Sequence, residues 1–380
     1  VVSAAKPIMK RVFAIEGKPV VLDVAEPELR PGEVLVKTAF SAVSSGTEMK
    51  IIYSSGHPDT LGDDTYPSLR IGQPPQLRKQ TVDWGFPEPR GQLPGTASVG
   101  YSLAGTVVAV SKEVVDLQVG DRVACSGNQC AVHAELVGMP RNLVAKVPDS
   151  VPLDHAAFVT LGCIAMTGVR RTECQFGETV VVYGLGLLGQ LSTQIARHAG
   201  LYVLGLDIDD RRVEQALQVG ATRAINPLRE DPVRAVLEMT DGFGADGVIL
   251  AIATSSSDPL NTAFDLCRTR ARVVGVGAFG MNITRARMYS REVTLVPSIA
   301  YGTGRYDTTY EEGGVDFNIG YGRWTENRQQ VAFLRMLADG VVSLEGLAPT
   351  RVPIAQAPEG YALLHAPGRP PTVLFTYEPA

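Results

Sequence analysis

The sequence predicts an α/β protein in which a β-rich domain is interrupted by a second domain built on a doubly wound parallel sheet. Three observations carry that expectation. Residues 1–160 are a series of short β-branched runs parted by Gly, Pro and Asp turns. Residues 165–300 instead alternate strand-like and helix-like runs, the pattern of a parallel sheet with helices on both faces. Near the start of that stretch, residues 179–189 read TVVVYGLGLLG, a strand that breaks into a glycine-rich turn.

In chain order, 32–38 and 104–110 are the clearest strands of the first part, and 119–123 is a turn that leads into another. Residues 53–98 are rich in Pro, Gly, Ser and Asp with little periodicity. That is long for an uncommitted loop, so a functional lid or an excursion is expected there. Strands follow over 179–183, 201–206, 223–226, 246–252, 271–277 and 292–298, with helical periodicity between them, as over 210–219. A helix over 326–339 and two short strands close the chain. The expected domains are therefore 1–164 with 301–380, and 165–300; a chain of 380 residues is long enough for each to bury its own core.

The glycine-rich turn has a chemical purpose. Gly184 allows a tight turn, Gly186 lets backbone N–H groups approach a pyrophosphate, and Gly189 lets the next helix pack against the strand, with Leu185, Leu187 and Leu188 between them. The helix N-terminus then turns its partial positive charge toward the phosphates. A second apolar run, 202–206, stops at Asp207. A carboxylate there accepts both ribose hydroxyls and repels a 2′-phosphate, which argues for NAD over NADP. Arg211 and Arg212 follow. They can grip a 2′-phosphate, line the adenosine side or open the next helix, and Arg212 joins the cofactor-binding candidates.

Composition excludes several classes. The net charge is −5 and no Lys/Arg stripe forms, so nucleic acid and anionic membranes are poor partners. No apolar run reaches the roughly 18 residues of a membrane span, and no signal peptide is read. The opening Val1 in place of Met points to processing or trimming. Five scattered cysteines, none in a C-x-x-C pair, suit reduced thiols in the cytoplasm, and no four-cysteine zinc lobe is present.

Together these features resemble the medium-chain dehydrogenase/reductase superfamily, the alcohol and polyol dehydrogenases and their zinc-free relatives. The resemblance runs nearly full length. It rests on Ser45-Gly46-Thr47-Glu48, on GYSLAG at 100–105, on VGDRV at 119–123, on Leu161-Gly162-Cys163 and on the glycine turn. It implies a GroES-like catalytic domain and a Rossmann NAD-binding domain. In zinc-bearing members a Cys, a His and a later Cys hold the catalytic metal. The matching positions here are Ser45, Tyr101 and Cys163, with Ser102 in the place of an acid. A hydroxyl and a phenol are poor zinc ligands, so no metal is expected, and Cys163 reads as a small buried residue.

A hydride-transferring enzyme without zinc must stabilise the developing alkoxide by other donors. The resemblance puts Thr47 at the hydroxyl of the proton relay, Lys50 where many relatives carry the relay His, and Tyr101 near the substrate oxygen. A phenol of pKa ~10 beside an ammonium is drawn toward working pH. Tyr101 as acid/base helped by Lys50 is one reading; an aromatic wall with Lys50 in solvent is the other. Glu48 is grouped with the substrate side, in a role of supporting the site's backbone or the cofactor region. His133 lies in a strand-like run, 131–137, and reads as structural; His155 and His198 receive no role.

Residues 301–325, YGTGRYDTTYEEGGVDFNIGYGRWT, resemble a zinc-free subgroup associated with sugar-modifying oxidoreductases. Tyr301, Tyr306 and Trp324 offer rings for the CH faces of a polyhydroxylated ligand, while Arg305 and Arg323 offer donors that can also hold a carboxylate or phosphate. A surface loop stabilised by its own aromatics is the other reading. The expected activity is zinc-independent, NAD-dependent hydride transfer at a secondary alcohol or ketone of a sugar- or cyclitol-like substrate. The alternatives are an enoyl- or quinone-type C=C reductase and a non-catalytic dinucleotide-binding protein. The resemblance also implies a homodimer joined through 292–298.

Overall fold

A computed structural model describes residues 7–56, 90–347, 349–366 and 368–378. Most of the expected excursion, 57–89, lies outside the described residues. The chain divides into two compact units. The first is Val1–Thr160, Gly302–Arg335 and Ala348–Ala380; the second is Leu161–Tyr301 and Met336–Leu347.

The first unit is β-rich. Strands β1 (Ile8–Ile15) and β2 (Lys18–Ala25) form an antiparallel hairpin, and β4 (Ala97–Ser98) adds to β1. A second sheet is organised around β3 (Glu33–Ala42), which pairs with β5 (Ser102–Val110) and β7 (Leu136–Pro140). Strand β6 (Arg122–Ser126) follows β5, and β8 (Val144–Lys146) follows β6. The expected strand-like run 131–137 is a strand only from Leu136 onward. His133 instead sits in irregular backbone whose N–H bonds to the Val99 carbonyl at 3.1 Å. Helix α1 (Ser45–Gly56) leaves directly from the end of β3. The Glu48 side chain bonds back to the Ser44 N–H at 2.7 Å.

The second unit holds a parallel sheet of β9 (Thr179–Tyr183), β10 (Tyr202–Leu206), β11 (Arg223–Ile225), β12 (Ala245–Leu250), β13 (Cys267–Gly275) and β14 (Thr294–Pro297). Their order is β11-β10-β9-β12-β13-β14. Helices cover such a sheet on both faces, so its strands are apolar throughout rather than alternating. Val180, Val181, Val182, Leu204 and Leu206 are all fully buried accordingly. Helix α2 (Leu187–His198) links β9 to β10, and α3 (Asp210–Gln218) links β10 to β11. Strand order reverses beside β9, the place where such sheets open a crevice for ligands at the strands' C-terminal ends.

After Tyr301 the chain returns to the first unit over Gly302–Arg335, and helix α4 (Glu326–Ala338) closes that stretch. Strand β15 (Thr350–Pro353) and helix α5 (Ala357–Leu363) then lead to β16 (Val373–Thr376), which pairs with β3. Residues 336–347 group with the second unit, which the sequence did not anticipate. A reciprocal pair explains it: Gln194 Nε2 donates to the Ser343 carbonyl at 3.1 Å, and the Ser343 N–H donates to Gln194 Oε1 at 2.8 Å. No helix among the described residues is long and apolar enough to cross a membrane.

Candidate active site

Gly184 follows β9 at φ +96°, a left-handed backbone that favours glycine, and its N–H bonds to the Leu206 carbonyl at 2.7 Å. At Gly189 a Cβ would lie 1.8 Å from the Gly184 carbonyl oxygen, so helix α2 reaches the strand only because no side chain intervenes. Gly186 caps α2 without any side-chain hydrogen bond, and a Cβ built there meets nothing within 4 Å. First-turn N–H groups of a helix need acceptors from outside. The turn thus offers donors toward open space, and its residues fit a pyrophosphate.

Asp207 stands at the end of β10, 6% exposed, and its carboxylate fixes this turn. Oδ2 accepts the Leu185 N–H at 2.7 Å, and Oδ1 accepts the Asp209 N–H at 2.9 Å. Arg212 Nη1 lies 3.5 Å from Oδ2. Arg211 instead pairs with Asp209, the cap of α3. The glycine turn, Asp207 and Arg212 therefore come together in the second unit.

In the first unit, Thr47 and Lys50 lie three residues apart on α1, half-buried and exposed respectively. That spacing places them on one helix face. Tyr101 is 7% exposed and precedes β5, and its carbonyl accepts the Thr160 hydroxyl at 2.8 Å. Glu48 has no exposed surface. Its Oε1 accepts the Ser44 N–H, and its Oε2 meets His133 Nε2 at 2.8 Å and the Tyr361 hydroxyl. Burial, then the Glu48 charge, raises the Tyr361 phenol well above its ordinary value, which keeps it a donor. On the far side of the ring, His133 Nδ1 meets Ser41 Oγ at 2.6 Å, and Ser41 Oγ meets the Tyr377 hydroxyl at 2.7 Å. Glu48 is thus a buttress and not a substrate contact. Sequence reasoning missed its partners, which are scattered along the chain and share no local motif.

The 301–328 segment is also partly internal. Arg305, expected on the substrate side, pairs with the fully buried Glu311 and donates to Asn128 Oδ1. Its guanidinium also stacks 3.8 Å from the Tyr306 ring centroid. Gln129 Nε2 and the Tyr306 N–H complete the donors to Glu311, at 2.8 and 3.0 Å. Tyr301 is 3% exposed, so its ring is packed rather than presented. The outward members are Arg323, stacked 4.0 Å over the Trp324 ring, and Tyr321, at 94% exposure.

Comparison with known proteins agrees with this architecture. The alcohol dehydrogenase GroES-like domain family matches residues 74–149, and the zinc-binding dehydrogenase family matches residues 188–313. An alcohol dehydrogenase of Geobacillus stearothermophilus is 29% identical over 251 residues, covering 59% of this chain and 64% of that enzyme's length. D-guloside 3-dehydrogenase of Shigella flexneri is 26% identical over 274 residues, 72% of this chain and 75% of that protein. The structure of galactitol-1-phosphate dehydrogenase from Escherichia coli superimposes with a TM-score of 0.74 at 18% identity, over 97% of this chain and all of that one. The chain belongs to the medium-chain dehydrogenase/reductase superfamily, a dinucleotide-binding family of oxidoreductases.

One buried acid in the first unit has a measurable consequence. Glu326, in the first turn of α4, is fully buried, and neither of its oxygens accepts a hydrogen bond from the described residues. Burial, and next the Glu311 charge, push its carboxyl well above the ordinary range. The shift favours the protonated form of this carboxyl in the folded protein. The folded state holds a proton that the unfolded chain releases. The resulting stability is complete below the ordinary carboxylate range and is lost as pH rises through the folded value. Glu326→Gln keeps a donor and removes the titration. Its melting temperature should rise relative to wild type between pH 5 and pH 9, by a few degrees for each ~1 kcal/mol. Parallel melting curves across that range would show that Glu326 does not titrate this way.

Proposed function

We propose that this chain is a zinc-independent, NAD-dependent oxidoreductase that moves a hydride between the nicotinamide and a secondary alcohol or ketone of a sugar- or cyclitol-like substrate. The observation that carries the cofactor preference is the Asp207 carboxylate, held by two backbone N–H groups beside the glycine turn. A fixed negative charge there favours ribose hydroxyls and opposes a 2′-phosphate. When bound, the dinucleotide supplies the hydride acceptor or donor. Tyr101 gives a proton to the substrate oxygen during reduction and takes it back during oxidation, with Thr47 and Lys50 as its assisting groups. The exposed Arg323, stacked on Trp324, and the half-buried Tyr306 face the polar substrate.

Zinc independence rests on donor chemistry. Ser45 and Tyr101 offer a hydroxyl and a phenol at positions where the zinc enzymes offer thiolate and imidazole. No group of three or more His, Cys, Asp or Glu among the described residues is arranged to hold a metal. The residues present do not fit the family's catalytic zinc, and no step is routed through one. The sugar-like substrate class draws on the names of the two sugar-acting relatives above. A homodimer through the sheet-edge strand β14, and a cytoplasmic setting for five free thiols, complete the proposal.

The first test is metal content and NAD against NADP affinity on one purified sample, followed by a panel of glycosides, hexitols, cyclitols and enones. Stoichiometric zinc, NADP preference or enone reduction would overturn the assignment. Asp207→Asn keeps an acceptor for the Leu185 N–H while removing the charge. It should narrow the preference for NAD over NADP about tenfold or more, equivalent to ~1.4 kcal/mol. Tyr101→Phe should lower kcat about 100-fold or more with NAD affinity unchanged. Unchanged turnover would remove Tyr101 from the chemistry.

A further inference from the structure

The hydrogen-bonded group around Glu48 lies wholly in the first unit and takes no part in the proton transfer proposed above. It does touch both segments that carry the proposed residues. His133 reaches Glu48, in the first turn of α1, between Thr47 and Lys50. The same residue lies against the turn before Tyr101. Its N–H bonds to the Val99 carbonyl at 3.1 Å. A Cβ at Gly100, where φ is +94°, would fall 2.6 Å from the His133 backbone nitrogen and 2.8 Å from two ring carbons. Only a glycine lets the chain cross the imidazole this closely.

A carboxylate only accepts, so His133 Nε2 carries a proton toward Glu48. Nδ1 is hydrogen-bonded to the Ser41 hydroxyl, and Ser41 to the Tyr377 phenol. Phe375 meets the imidazole edge-on, with centroids 4.9 Å apart at 89°. The ring is thus held on both nitrogens and one edge, and cannot flip without stranding a buried donor. A side chain fixed this firmly acts as a rigid spacer between the two segments it touches.

We propose that His133 is a positioning residue. It sets helix α1, with Thr47 and Lys50, and the Gly100 turn, with Tyr101, in one fixed relation. The proposal rests on the proton-transfer reading, and its tests separate the two. His133→Phe keeps a ring beneath Gly100 and against Phe375 but removes both hydrogen bonds. Hydrogen exchange should speed up together in 44–50 and 99–102, by about tenfold or more, in otherwise protected protein. Turnover with NAD and the fastest polyol of the panel should fall about 10- to 100-fold, as a displaced catalytic group costs. NAD affinity should hold, and the pH profile of kcat should move.

Double-mutant cycles complete the test. Loss through His133→Phe should be strongly non-additive with Tyr101→Phe and with Thr47→Val. If Tyr101→Phe alone has no effect, the acid/base reading falls, while the exchange data and the Thr47 cycle still decide the role of His133. If His133→Phe fails to fold, Tyr361→Phe removes one Glu48 donor and should show the same coupling at smaller amplitude. Exchange that changes in one segment or neither, kcat within twofold of wild type, or additive losses in both cycles would overturn the proposal.

Discussion

A carboxylate removed from water must find its hydrogen bonds inside the protein, and the first unit is assembled around that requirement. Glu48 has no exposed surface, and an uncompensated charge there would cost several kcal/mol. Its solution draws on a backbone N–H four residues upstream, an imidazole 85 residues away and a phenol 313 residues away. The Ser41–Tyr377 contact spans 336 residues. Helix α1, the 133 segment and helix α5 meet at this one acid, and the imidazole links it on to β3 through Ser41 and to Tyr377, just after β16. Apolar packing of Val12, Val43, Val99, Tyr361 and Phe375 surrounds it.

Distance along the chain decided what the sequence made legible. The glycine turn, helix α2 and Asp207 belong to one βαβ unit, where each glycine's reason is local, so motif and structure coincide residue by residue. Even there, the sequence did not show that Asp207 would bond to the Leu185 N–H and so help shape the turn it serves. The Glu48 group was illegible because its partners are scattered and each is ordinary alone. Residues 131–137 alternate like a strand, yet Gly100 crosses at His133 and displaces the backbone from a regular ladder.

The 301–328 segment shows another limit of composition. Its density of aromatic and charged residues points equally well to a ligand-binding face and to an internal polar core. The structure divides the set. Arg305, Glu311 and Glu326 turn inward, and Arg328 binds the Gly322 and Phe317 carbonyls and Asp316. Arg323 and Tyr321 face outward. Three buried acids among the described residues are satisfied differently. Asp207 takes backbone donors, Glu48 takes a backbone N–H with an imidazole and a phenol, and Glu311 takes an arginine with an amide and a backbone N–H.

The pairing of β3 with β16 bears on how the protein is made. Residues 33–42 are synthesised well before their partner strand. Glu48 and His133 therefore wait for Tyr361, and Ser41 for Tyr377. The 161–301 stretch, contiguous and rich in local βαβ contacts, is complete before either arrives. Until then the nascent chain carries an acid and an unpaired strand edge in water. Closure of the first unit thus comes after the parallel sheet of the second has been made, when β16 becomes available to β3.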